Sequence, residues 1–177
     1  MKPAQIALER ALAQEAGAQR ELLAGVAEPA AFRDAAASYW ESYGLALPGS
    51  YGRLVGMLKA AVLGGGGAEE AGRVRALLDD GGSSPTAWYA VAIAALIVRD
   101  DATARHAADE MQVGGGAFAR AADAISSIAD GDAAATGRAI DAIEADFATR
   151  DGHLTGVPIA DTAVLFATLA ERRRRDR

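Results

Sequence analysis

Cysteine is absent from this chain, which excludes disulfides and thiolate metal sites and suits a reducing cytoplasm. Only two histidines occur, His106 and His153, and they stand far apart. Aromatic residues make up 6% of the chain, and β-branched residues are too few and scattered for several strands. The opening MKPAQIALER carries Glu9 and Arg10 where an export signal needs its apolar run, so a cytoplasmic location is expected. What fills the chain instead is alanine, about a quarter of the 177 residues and the strongest helix former. An all-α fold follows. The net charge of −6 disfavours DNA and anionic lipid as partners.

A chain of this length forms a single domain (1–177) that buries about 70% of the surface its unfolded form exposes. Its organising element is residues 84–98, SPTAWYAVAIAALIV, apolar on every face and therefore enclosed by protein. Crossing a bilayer takes about 20 apolar residues, so no membrane is involved. Ser84 suits the cap of this helix, and Pro85 its first position.

About eight or nine helices are expected, paired as antiparallel hairpins around that rod. The first, from 3 to about 24, turns Leu8, Leu12, Ala16, Leu23 and Val26 inward and Glu9, Glu15, Gln19 and Arg20 outward. The second aligns Phe32, Ala36, Tyr39 and Tyr43 and ends on Gly44 as a left-handed residue. The third sets Tyr51, Leu54, Val55, Leu58 and Val62 opposite Arg53 and Lys59, and four glycines at 64–67 stop it. A fourth carries Val74, Leu77 and Leu78 inward. After the central helix, Asp101 caps a short helix with Ala104, Ala107, Ala108 and Met111 inward. Gly131 and Asp132 separate a helix bearing Phe118, Ala122, Ile125 and Ala129 from one bearing Thr136, Ile140, Ile143 and Phe147. Asp161 caps the last helix, and the basic tail at 171–177 is a solvated, frayed end.

Residues 88–111 and 118–147 share a layout, offset by about 30 residues: an aromatic, a helix, an Asp-rich turn and an alanine-rich second helix. A third copy runs from 51 to 78. ALIVRDDATARHAA and its echo ISSIADGDAAATGRAI resemble the turn and second helix of tetratricopeptide-like hairpins, which implies α-solenoid character. The apolar helix ending in Arg-Asp before a short helix is also similar to all-helical immunity proteins of actinobacterial toxin systems. That second resemblance implies a bacterial, non-enzymatic protein that blocks a toxin by binding it, with no catalytic residues to carry over.

No constellation in the sequence carries chemistry. The glycines at 64–67 lack the Lys-Ser/Thr of a phosphate loop, and Glu69 and Glu70 occupy the start of the next helix. The glycines at 114–116, near Arg120, suit an anion better but read as a loop. His106 with Asp109 and Glu110 reads as a solvated helix face rather than a metal site. The pairs Asp79–Asp80 and Asp100–Asp101 read as turns and caps. No catalytic residue, metal or cofactor is therefore assigned. The tyrosines and tryptophans cluster in two windows, and Tyr39, Trp40, Tyr43, Tyr51, Trp88 and Tyr89 are the candidate binding residues. The expected function is a non-catalytic protein-binding module, in its most specific form a toxin-neutralising protein whose acidic outer helices meet a basic toxin. The alternative is a small-molecule binder or enzyme with a pocket between helices, lined by Tyr39, Tyr43, Tyr51 and Trp88.

Overall fold

Pro3, Pro29 and Pro85 each stand at the start of a helix, where the missing N–H leaves no bond unmade. They open α1 (Pro3–Leu23), α2 (Pro29–Gly44) and α5 (Pro85–Val98) in a computed structural model that describes residues 2–79 and 81–176. The others are α3 (Gly52–Leu63), α4 (Ala68–Leu78), α6 (Asp101–Met111), α7 (Gly116–Asp130), α8 (Ala133–Ala148) and α9 (Asp161–Arg175), with one 3-10 turn at Gln112–Gly114. The expected all-α fold is what the chain forms: the described residues contain nine α-helices and no strand. No helix among them is long and apolar enough to cross a membrane. Asp80 and Arg177, placed above in an acid pair and in the basic tail, lie outside the described residues.

Side-chain caps fix three helix starts. Ser84 Oγ accepts from the Ala87 N–H at 3.2 Å and Asp132 from the Ala135 N–H at 2.9 Å, both as expected. The cap of α6 is Asp100 rather than Asp101; it accepts from the Thr103 N–H at 3.1 Å, which leaves Asp101 as the first helical residue. Gly44 does not end α2 in the left-handed region, and Leu45 after it is right-handed as well.

The central helix is enclosed over most of its length: Ala87 and every residue from Ala90 to Leu96 are buried among α3, α4, α6 and α7, whereas Val98 at its end is exposed. The third helix is a second such rod, not an amphipathic surface element. Leu54, Val55, Met57, Leu58, Ala60, Ala61 and Val62 are all buried where α2, α5 and α9 meet it. With those faces occupied, α3 touches α4 only lightly, and α4 packs on α5. The third repeat copy is therefore not a hairpin, whereas α5–α6 and α7–α8 are close pairs. On α1 the buried face is Ala7, Ala11, Glu15 and Ala18, while Leu23 and Val26 are exposed. Small residues win that face because they let α1 approach α2 closely. Leu77, expected inward on α4, is also exposed.

Two arginines of the basic C-terminal end, Arg172 and Arg173, are held by the stack, while Arg174 and Arg175 stay exposed. Returning across the stack to meet α3, α7 and α8, α9 brings Arg172 to the end of α3, where it donates to the carbonyls of Val62 at 2.7 Å and Gly66 at 2.8 Å. Arg173 pairs with Asp101 at 2.5 Å and reaches the Leu96 and Ile128 carbonyls near the ends of α5 and α7. Cations thus meet the negative ends of three helices. Replacing Arg172 by Met should lower the unfolding free energy by about 1–2 kcal/mol, because two carbonyls lose a charged donor. A urea titration reads this as a fall in midpoint; an unchanged midpoint would mean that the end is frayed after all.

Candidate functional site

Gly56 lies mid-helix in α3, where an added Cβ would stand 2.7 Å from the Tyr39 ring. The missing side chain lets α2 press Tyr39 onto α3. Tyr39 Oη then reaches across to α1 and donates to Glu15 Oε2 at 2.5 Å. Gln19, one turn further along α1, donates to Glu15 Oε1 at 3.4 Å and accepts from Thr155 Oγ1 at 2.5 Å. Glu15 and Gln19, expected on the outer face, are 2% and 1% exposed. Lys59 is likewise inside: its ammonium pairs with Asp161 at 2.5 Å and donates to Thr162 Oγ1 at 3.3 Å, and the paired side chains are 14% and 23% exposed. Asp161 does not cap α9, whose start has no side-chain cap. It serves Lys59 instead.

All these groups line one cleft of about 710 Å³, with apolar walls from Leu12, Val55, Phe118, Ile143 and Val157. Tyr89 lines it as well, and its hydroxyl is buried beside Thr162 without a hydrogen bond of good geometry. A second polar group belongs to α7 and α8, where Asp146 lies between Arg120 and Arg150 at 2.6 Å from each. His153 stacks on Phe147 at 4.3 Å between ring centroids, its Nδ1 buried and unpartnered.

Burial dominates the electrostatics here. It pushes the Glu15 carboxyl above its ordinary value of 4.5, against the smaller pulls of the Tyr39 hydrogen bond and of Lys59. The Tyr39 and Tyr89 phenols are both raised, first by burial; Glu15 adds to the effect at Tyr39, while Lys59 and Thr162 only partly offset it at Tyr89. For Lys59 burial acts the other way, but Asp161, Tyr89 and Glu15 outweigh it and the ammonium is held above its ordinary range. Asp146 is held below the usual carboxylate range, chiefly by the Arg150 hydrogen bond.

The six candidate aromatics do not share a wall. Tyr39 and Tyr89 face the cleft. Trp40 stacks on Tyr43 at 6.0 Å between centroids and lies beneath the Arg73 guanidinium of α4 at 5.0 Å. Tyr51 accepts a hydrogen bond from Ser83 Oγ at 3.2 Å, and Trp88 meets the edge of His106 at 5.2 Å. Of the pocket imagined from Tyr39, Tyr43, Tyr51 and Trp88, only Tyr39 lines the cleft. The glycine connector at 64–67 turns carbonyls, not amides, toward charge: Gly64 O accepts from Arg33 and Gly66 O from Arg172. Among the described residues no group of three or more His, Asp and Glu side chains is placed to hold a metal ion.

No protein-family model, curated protein or solved structure matches the chain.

A raised carboxyl has a definite thermodynamic sign. The fold binds the Glu15 proton more tightly than the unfolded chain does, so this residue's contribution becomes less favourable as pH climbs from about 4.5 to its raised folded value. Glu15→Gln removes that titration while keeping an acceptor for Tyr39. The variant should gain stability relative to the parent chain as pH rises above about 4.5 in thermal melts; a difference that stays constant as pH rises would contradict the assignment.

Proposed function

We propose that the protein binds a small, largely apolar molecule in the cleft framed by α1, α3, α5, α7 and α9, and that it does so without catalysis. Ligand clefts of roughly 300–1,000 Å³ combine apolar walls with a few placed polar groups. A volume of about 710 Å³ and walls of Leu, Val, Ile and Phe fit that description; among the polar lining, Lys59 and Glu15 lie beside Tyr89, and the charged Arg120, Asp146 and Arg150 satisfy one another. The observation that carries the reading is the Tyr89 hydroxyl, buried in the cleft wall beside Thr162 but with no well-formed hydrogen bond. A poorly satisfied buried hydroxyl lowers stability, whereas a ligand that satisfies it gains specificity. The test is a thermal-shift screen of small apolar molecules with polar ends, repeated on Tyr89→Phe. The variant without ligand should melt at or slightly above the parent temperature, because no well-formed protein bond is lost. Ligands found with the parent chain should bind it about fivefold to tenfold more weakly, the loss of one hydrogen bond. Equal affinities would remove Tyr89 from the site.

A protein partner, with toxin neutralisation as its sharpest form, is a second reading favoured by a separate observation. Leu47, Val113 and Leu154 are 80%, 84% and 84% exposed. Leu154 itself lines the cleft, Leu47 precedes the lining residues Gly49 and Ser50, and Val113 adjoins Gly114, which packs against the cleft residue Phe118. A partner seated over the cleft would cover all three. Replacing them together by Asp should abolish capture of a host protein by the immobilised chain while leaving its melting temperature unchanged; capture unaffected by the triple change would count against this surface.

A further inference from the structure

Glu15 is a buried carboxylate with no cation of its own. Its hydrogen bonds come from the neutral donors Tyr39 on α2 and Gln19 on its own helix. The charged groups that act on it are Lys59 from α3 and Asp161 from α9, and they are paired with each other. No ion pair reaches Glu15 among the described residues, so two carboxylates share one ammonium in this part of the cleft. The other cations lining the cleft are engaged elsewhere: Arg53 donates to the Ser42 carbonyl at 2.6 Å, and Arg120 and Arg150 enclose Asp146. A buried charge without a counter-ion is costly.

The surroundings fit one kind of counter-ion. Tyr89 and Phe118 bring ring surface to the same cleft, and aromatic faces attract cations most strongly where water is excluded. The Tyr89 oxygen, which has no well-formed hydrogen bond, can accept one from an N–H group. Resting on the ligand-binding reading above, we infer that the cleft takes an organic amine, its ammonium pairing with Glu15 and its apolar body lying against Leu12, Val55 and Ile143. The ammonium supplies the charge that Glu15 lacks. It also draws the carboxyl back toward its ordinary value, so binding below neutral pH releases a proton.

The experiment uses matched probes on the full chain. Phenyl-, indolyl- and hexyl-bearing amines are each compared with the carboxylic acid and the uncharged alkyl analogue of the same body, by thermal shift and by calorimetry in two buffers of different ionisation enthalpy. The amines should bind at least about tenfold more tightly than their matched acids and neutral analogues, with proton release at acid pH that fades as the pH rises above the raised Glu15 value. Glu15→Gln, which keeps the Tyr39 hydrogen bond, should weaken the amines about tenfold to a hundredfold, the range for removing one partner of a buried ion pair, and leave the neutral analogues unchanged. Tighter binding of acids or neutral analogues, or an amine preference that survives in Glu15→Gln, overturns the amine assignment and leaves the ligand reading standing. If no probe of any charge shifts the melting temperature of the parent chain, both are overturned.

Discussion

The Lys59–Asp161 ion pair joins the middle of α3 to the first residue of α9, and the cleft depends on that junction. A buried ion pair gives little net stability, because desolvating two charges consumes most of their attraction. Its effect is positional. Leu165, Phe166 and Leu169 could bury themselves against the stack in several registers, but only one sets Asp161 beside the lysine. In that register Arg172 meets the Val62 and Gly66 carbonyls at the end of α3, so α9 is fixed near both of its ends. The loop before α9 is drawn in as well, and its Thr155 reaches Gln19, 136 residues away in the chain. Without this closing helix the α1–α3 group and the α4–α8 group would touch chiefly through α3 and α5.

Small residues determine how closely the helices approach, and this controls where space remains. Alanines at 7, 11, 35, 36, 90, 94, 104, 107, 121 and 122 are all buried, so neighbouring helices meet at short distances with little side-chain volume between them. Large side chains are consequently few, and those present act as spacers. Tyr39 over Gly56 is one: the ring fills the gap that glycine leaves and delivers its hydroxyl to Glu15. Where no such ring fills the gap between α1, α3, α5 and α7, the space stays open as the cleft.

Much of this was legible in the sequence. The Ser-Pro start and the alanines of the apolar run favour a helix over the buried strand that 91–98 could also form. Glycine, the Asp132 cap and alanine faces mark the breaks and inner sides of α7 and α8; on α6 the inner face is marked correctly but the cap is Asp100 rather than Asp101. The site was not legible, for a reason visible at Glu15, Gln19 and Lys59. Hydrophobic periodicity treats a charged residue as an outer one, so the inner face of a helix that buries a carboxylate is read too narrowly. Leu8, Leu12 and Ala16 do face inward on α1, but Leu23 and Val26 do not, and the closest contact is made by Ala7, Ala11 and Ala18. A usable signal was present: the small residues 7, 11 and 18 form a helical face that only Glu15 interrupts. The arginine end was misjudged differently, since its partners are backbone carbonyls of distant helices, which no side-chain pattern announces.

The same burial that hides the site couples its occupancy to the stability of the fold. A carboxylate kept from water at 2% exposure, with only neutral donors, makes the ligand-free protein less stable at neutral pH than it would be with that group uncharged. Any occupant that supplies the missing positive charge reverses this penalty in addition to burying its own apolar surface, so part of its binding free energy reappears as folding stability. An uncharged occupant of equal size gains the burial alone. Because Glu15 is tied through Tyr39 to α2 and Gln19 is tied through Thr155 to the loop before α9, that relief acts on contacts between helices far apart in sequence. Occupancy should therefore tighten the α9 closure along with the site itself, although the groups that meet the ligand come mainly from α1, α3 and α5.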